Sequence, residues 1–327
     1  MRNRLLRLFI CFTFSSIVFA SFGCNQQGTG KDQLKPKVEE ELPVPEKEFT
    51  KTVGDVSFKM IRIEGVRKTK LGFNRDERIV SLSPYYIAET EVTQGLYKAV
   101  MGNNISFFNG STDKTKPAEG EEQDLRPVES LTYFEALLFC NELTKKVFGD
   151  DKECVYTVTE EKKNDKGKIV EANVVIDIKK KGFRLPTLAE WEYAAKGGVP
   201  NAIYPGIGTF PEDVPGAAGQ ALPEYAWYNE CSGGKTHQVA KKKPNGYGLY
   251  DMAGNVAEWT QDHAAGGPLP SNVELDPQGF KKPTGFHEAR GCGWSYGGKA
   301  YCAVWSRNRL AWFAFEAYVG LRVACRL

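Results

Sequence analysis

Apolar residues recur at helical spacing in three short segments, each opened by a threonine. After Thr132, "YFEALLFCNELTKK" sets Phe134, Leu137, Leu138 and Leu143 along one stripe, and Thr132 with Glu135 makes a capping box. After Thr187, "LAEWEYAAKGG" repeats the device with Glu190 and closes at Gly197 and Gly198. Thr93 opens a third helix, "QGLYKAVMG", which Gly102 ends. Helices this short brace a sheet better than they build a bundle. Elsewhere the period changes to two: "CVYTVTEEKKNDKGKIVEANVVIDI" predicts two strands about a turn at Asn164 to Gly167. Residues 104–127 and 200–223 are rich in Gly and Pro and carry no period, which predicts long irregular loops inside the folded part.

The N-terminus is of another kind. Arg2, Arg4 and Arg7 precede an apolar run from Leu8 to Phe22, too short for a membrane span and suited to the apolar region of a secretory signal. It ends in "SFGC", which resembles a bacterial lipobox. That resemblance implies a lipoprotein signal peptide over 1–23, Cys24 as the lipidated first residue of the mature chain, and anchoring at a membrane on the cell surface. A non-lipidated signal or a single anchor helix is the competing reading. Residues 24–51 are polar and punctuated by Pro36, Pro43 and Pro45, so they form a disordered tether with too little apolar surface for a core. Residues 52–327 remain for one domain.

Composition narrows the function. A net charge of +2, with Lys and Arg scattered among nearly as many acids, gives no basic field and excludes a nucleic-acid partner. Cys140, Cys154, Cys231, Cys292, Cys302 and Cys325 show no CxxC or Cys/His ligand spacing, which excludes a structural zinc. Cys140, in an apolar helical stretch, reads as a buried small hydrophobe. Export permits disulfides, but the pairing is open.

The most telling stretch is the last one, Arg290 to Leu327. Eight aromatics fall between Trp294 and Tyr318 beside a single acid, Glu316. Such a segment is either the closing piece of a core or a contact surface, because Trp, Tyr and Arg concentrate binding energy. Trp312, Phe313 and Phe315 occupy both parities of a strand, so one buried face cannot take them all.

"GFRLPTLAEWEYAAKGG" and "NGYGLYDMAGNVAEWTQD", with "YYIAETEVTQGLYKAVMG", "RPVESLTYFEALLFCNEL", "AWYNECSGGKTHQV" and "VGLRVA", resemble the formylglycine-generating enzyme, or sulfatase-modifying factor, family. The pieces stand in the family's order from Tyr85 to Ala324. The resemblance implies an α+β, loop-rich single domain of C-type-lectin-like fold.

Two metals follow from that resemblance. In "DMAGNVAEW", Asp251 and Glu258 with the carbonyls of Gly254 and Val256 offer the hard oxygen ligands that calcium prefers, where the family is implied to hold a structural calcium. The family's oxidases are implied to hold copper(I) between two cysteines in C-x4-C. Here Cys302 has Gly297 five positions earlier, and Cys292, ten positions before it, is expected to be out of reach. Copper is therefore not expected, and neither is oxidation of a substrate cysteine.

A branch of the same fold, the variable proteins of diversity-generating retroelements and the treponemal ones in particular, lacks that pair as well. "RGCGW", "YCAV", Arg307 and "VGLRVACR" resemble its fixed frame. Trp294, Gly320 and Arg322 are then expected to close the fold. Ser295, Tyr296, Tyr301, Trp305, Ser306, Asn308, Leu310, Trp312, Phe313 and Phe315 are expected to face a ligand, with Arg307 and Arg309 at the rim. A rigid scaffold can carry such substitutions without cost to the fold, and Trp and Tyr supply contact area at low entropy cost.

The expectation is a tethered, monomeric, non-catalytic protein that binds an unknown protein or surface ligand. Competing readings are a formylglycine-generating oxidase and an accessory envelope lipoprotein. The three histidines, His237, His263 and His287, have no partners at ligand or triad spacing.

Overall fold

The computed structural model describes residues 45–205, 207, 217–264, 274–279 and 284–326. The chain divides into two units, Met1–Val44 and Pro45–Leu327, and the first lies outside the described residues. The expected signal peptide, Cys24 and most of the expected tether fall there.

In chain order the folded unit opens with strands β1 (Glu48–Val53), β2 (Val56–Ile63), β3 (Val66–Leu71), β4 (Arg78–Leu82) and β5 (Tyr85–Ala88). Helices α1 (Gln94–Met101) and α2 (Tyr133–Phe148), the hairpin β6 (Tyr156–Lys163) and β7 (Ile169–Ile176), and helices α3 (Leu188–Lys196) and α4 (Ala217–Ala221) follow. Strands β8 (Ala257–His263), β9 (Glu274–Leu275), β10 (Phe286–Arg290), β11 (Asn308–Ala311), β12 (Val319–Gly320) and β13 (Ala324–Cys325) complete it.

The three helices start where the threonines stand. The side chains of Thr93, Thr132 and Thr187 accept from the backbone N–H groups of Leu96, Glu135 and Glu190, and the last two complete capping boxes. Each cap satisfies donors that a bare helix end leaves open, and losing one costs about 1 kcal/mol. The hairpin forms at the predicted turn, where Asn164 N–H and Lys168 C=O close it.

Four sheets result, ordered β1-β2-β5-β13, β11-β10-β8-β12, β3-β4-β9 and β6-β7. The chain end stitches the first two together: β12 runs parallel to β8, and β13 then pairs antiparallel with β5 at Ala324 and Ile87. The main core lies under α1 and α2 and includes Met60, Tyr86, Leu137, Phe139, Trp259, Leu321 and Val323. This is the α+β, loop-rich single domain that was expected.

One boundary differs. The tether was expected to reach Lys51, yet β1 begins at Glu48 and pairs with β2 along its whole length. As an edge strand it keeps its charged residues in solvent, so its polar composition disguised it. Only Val53 is buried and Phe49 half-buried, Phe49 against Tyr86.

Candidate functional site

The aromatic C-terminal segment lies on a frame of paired, largely buried charges. Arg290, at the end of β10, donates to Glu192 Oε2 (2.9 Å) and to the carbonyls of Val304 (2.6 Å) and Trp305 (3.1 Å), pinning the backbone of the segment. Arg322 donates to Glu258 Oε1 (2.7 Å) and to the carbonyls of Ala88 (2.9 Å) and Tyr250 (2.7 Å). Burial works against the Arg322 charge, and the Glu258 carboxylate more than offsets it, holding the guanidinium above its ordinary range. Arg307 is held by Glu288 (3.0 Å) and Asp76 (3.5 Å). Buried charges are tolerated only when paired and hydrogen-bonded in this way.

Close packing fixes the frame as well. A Cβ on Gly320 would lie 2.4 Å from the Val128 carbonyl oxygen, so only glycine fits. Trp294 donates through Nε1 to Ala317 C=O (2.9 Å) and meets Phe108 edge-on at 5.2 Å. Trp294, Gly320 and Arg322 thus close the fold.

Cys292 and Cys302 form a disulfide with a Cα separation of 4.8 Å. The expectation that ten positions put Cys292 out of reach is corrected. The intervening chain leaves the core and turns back at Gly298, whose φ of 119° is open to glycine. The loop so closed carries Ser295, Tyr296 and Tyr301, and is tied across by Ser232 Oγ to Trp294 C=O (2.8 Å). Both cysteines are buried, and as a disulfide they offer no thiolate to copper(I). Gly297 is exposed, and the donor set does not fit the metal.

The expected ligand-facing residues separate into three groups. Tyr301 (51% exposed) and Phe313 (52%) stand out into solvent. Ser295, Tyr296, Ser306 and Phe315 are half-buried at the margin. Tyr296 meets Tyr301 and Tyr318 edge-on at 5.6 and 5.3 Å, and Lys166 sits 5.4 Å over the Phe315 ring. Asn308 is buried, and Trp305, Leu310 and Trp312 are half-buried, each with one face packed on the fold. Trp305 stacks on Phe73 at 4.6 Å, Trp312 packs on Phe134 at 5.8 Å, Leu310 packs against the main core, and Asn308 is buried with Nδ2 on Gly291 C=O. Their aromatic or amide character reads the same in sequence whichever side they face.

The surface also includes residues that sequence reasoning missed. Phe107 (57% exposed) packs edge-on against Phe108, which touches Trp294, so a distant loop extends the aromatic band. Lys166 and Lys168 arrive from the β6-β7 turn. The paired phenylalanines in "NNISFFNGS" were the only signal, and it carried no address.

Of the expected calcium ligands, the two carboxylate side chains are already engaged within the fold. Both Glu258 oxygens accept from Arg322, and Oε2 also accepts from Trp191 Nε1 (2.6 Å), so this carboxylate already has a counter-charge. The Val256 N–H is bound to Glu91. Asp251 accepts from Ala240 N–H through Oδ2, and its buried Oδ1 has no partner. Burial pushes the Asp251 carboxyl up to about 6. Asp251 Oδ1 is thus the one side-chain oxygen of the expected set without a protein partner, where calcium takes six or more oxygens in all. Among the described residues no three His, Cys, Asp or Glu side chains gather as a metal site.

A lectin-like frame with charges buried beneath an aromatic surface defines a domain class, and comparison gives its family. The sulfatase-modifying factor enzyme 1-like domain matches residues 34–327, and the chain belongs to that family. Treponema denticola variable protein 1 superposes with a TM-score of 0.73 at 41% identity, covering 88% of this chain and 100% of that one. "Chaperone protein LppX" of Paenibacillus barcinonensis is 33% identical over 240 residues, 67% of this chain and 76% of its own length. The formylglycine-generating enzyme of Thermomonospora curvata matches over a shorter stretch, 37% identical across 119 residues, or 34% of that enzyme.

Proposed function

We propose that this is a membrane-tethered, non-catalytic binding protein that engages a protein or surface ligand through its C-terminal aromatic segment. The observation that carries the reading is the exposure of Tyr301, in a loop held by Arg290 and the Cys292–Cys302 disulfide, and of Phe313, whose neighbour Trp312 is bonded to Gly285 and Tyr133. Large rigid side chains on an immobile backbone bind with little loss of entropy. The likeness to a variable protein supports the same reading. So does a relative named as a chaperone, a word that implies binding without covalent chemistry.

The test is an array of host and microbial surface proteins probed with the full chain and with a Tyr301→Ala, Phe313→Ala double variant. The wild type should retain partners that the double variant loses. Partners shared equally by both place the binding surface elsewhere. Anchoring rests on Cys24, so Cys24→Ser should move the protein from the detergent phase to the aqueous phase. Retroelement diversification requires a reverse transcriptase gene and a near-identical copy of the C-terminal coding segment nearby, and a locus with neither rules it out. Incubation with copper and a cysteine peptide should give no formylglycine, and product would favour the oxidase.

A further inference from the structure

We infer that the ligand contact includes strand addition: an extended, acidic polypeptide segment pairs with the free edge of β11. The inference rests on the proposed binding role of the aromatic segment and names the class of partner. Strand β11 stands at the end of its sheet, and among the described residues its strand neighbour is β10 on one side only. The register pairs Phe286 with Ala311 and Glu288 with Arg309, and just beyond it Trp312 N–H donates to Gly285 C=O. In an antiparallel ladder bonded and non-bonded pairs alternate. Leu310 and Asn308 therefore bond toward β10, while Arg309 and Ala311 turn their N–H and C=O groups outward. The Ala311 carbonyl accepts from Ala314 N–H, which among the described residues leaves the Arg309 N–H, the Arg309 C=O and the Ala311 N–H for an incoming strand. Such an edge is a template for pairing unless something covers it.

Charge decides what kind of strand fits. Arg309 is exposed with its guanidinium 4.1 Å over the Phe286 ring, and Lys166 lies over Phe315. Among the described residues neither has a carboxylate partner. Lys168 and Arg307 nearby are paired with Glu135 and Glu288, and Glu316 is the segment's single acid. Arg309 on the strand, exposed Phe313 just past it and Lys166 over Phe315 together suit acidic side chains interleaved with apolar ones. Backbone pairing supplies affinity that is indifferent to sequence, and the cations and rings select the segment.

The test uses the full chain and fluorescein-labelled hexapeptides read by anisotropy. Glu-Val-Glu-Val-Glu-Val should bind at least about tenfold tighter than its lysine counterpart. N-methylation of alternate residues should abolish binding in one frame and spare it in the other, since a strand offers only alternate amides to one edge. Arg309→Glu should remove binding, and Lys166→Glu, on a separate turn, should weaken it. Equal binding of the two peptides, or indifference to N-methylation in both frames, overturns strand addition. Loss of acidic-peptide binding in Phe313→Ala but not in Arg309→Glu overturns it too, while leaving the aromatic surface in place. If the acidic peptide does not bind at all, the inference fails and the array result alone judges the parent reading.

Discussion

Two neighbouring stretches of the C-terminus behave oppositely. Every residue from Val319 to Cys325 is buried, whereas none from Arg309 to Tyr318 is. The first stretch joins two sheets and carries Arg322 into the centre of the molecule. The second rests on the frame and presents rings and cations outward. Aromatic content alone does not separate display from core; what separates them is whether the side chains and charges of a segment are consumed by the fold.

The sharpest way to break this contrast is to remove a buried charge. Arg322→Leu leaves Glu258 without a counter-charge and should cost about 3–5 kcal/mol in urea unfolding, and a loss under about 1 kcal/mol would show that the frame does not depend on the pair. The disulfide comes next. Cys292→Ser with Cys302→Ser should cost about 2–4 kcal/mol and loosen hydrogen exchange in the loop between them, with β12 and β13 unaffected.

A pH titration probes the frame from another side. Burial pushes the Asp262 carboxyl up from 3.8 to about 7, against the pull of the Leu188 N–H that it accepts. The folded state therefore holds this proton over a range where the unfolded state has lost it. The Asp262 contribution is intact at acid pH and declines as pH rises from about 4 to about 7. Asp262→Asn should flatten that decline, and an unchanged profile would assign it to other groups. At the bottom of the scale, Tyr301→Ala and Phe313→Ala should each alter stability by no more than about 0.5 kcal/mol, as exposed positions do. A larger loss would make either ring part of the core.

Much of this was legible in the chain. The three helices begin at their threonine caps and the hairpin turns at Asn164, because both signals are local. What was not legible concerns contacts that local patterns do not encode. Glu258, beside a turn bent at Gly254, offers hard oxygen ligands in the sequence, while its pairing with Arg322, 64 positions on, is visible only in the fold. Trp305 and Trp312 each turn one face to a ring from another element, Phe73 and Phe134, a contact that spacing does not reveal. Cys292 and Cys302 meet through a loop path that spacing does not encode.

The central claim is that one segment holds both an immutable frame and a replaceable surface. It is tested most directly by randomising Tyr301, Phe313 and Phe315 in one library and Trp294, Gly320 and Arg322 in another, then measuring the fraction of members that resist protease. The account predicts that most of the first library stays folded and almost none of the second does. Comparable resistance in the two libraries would contradict it.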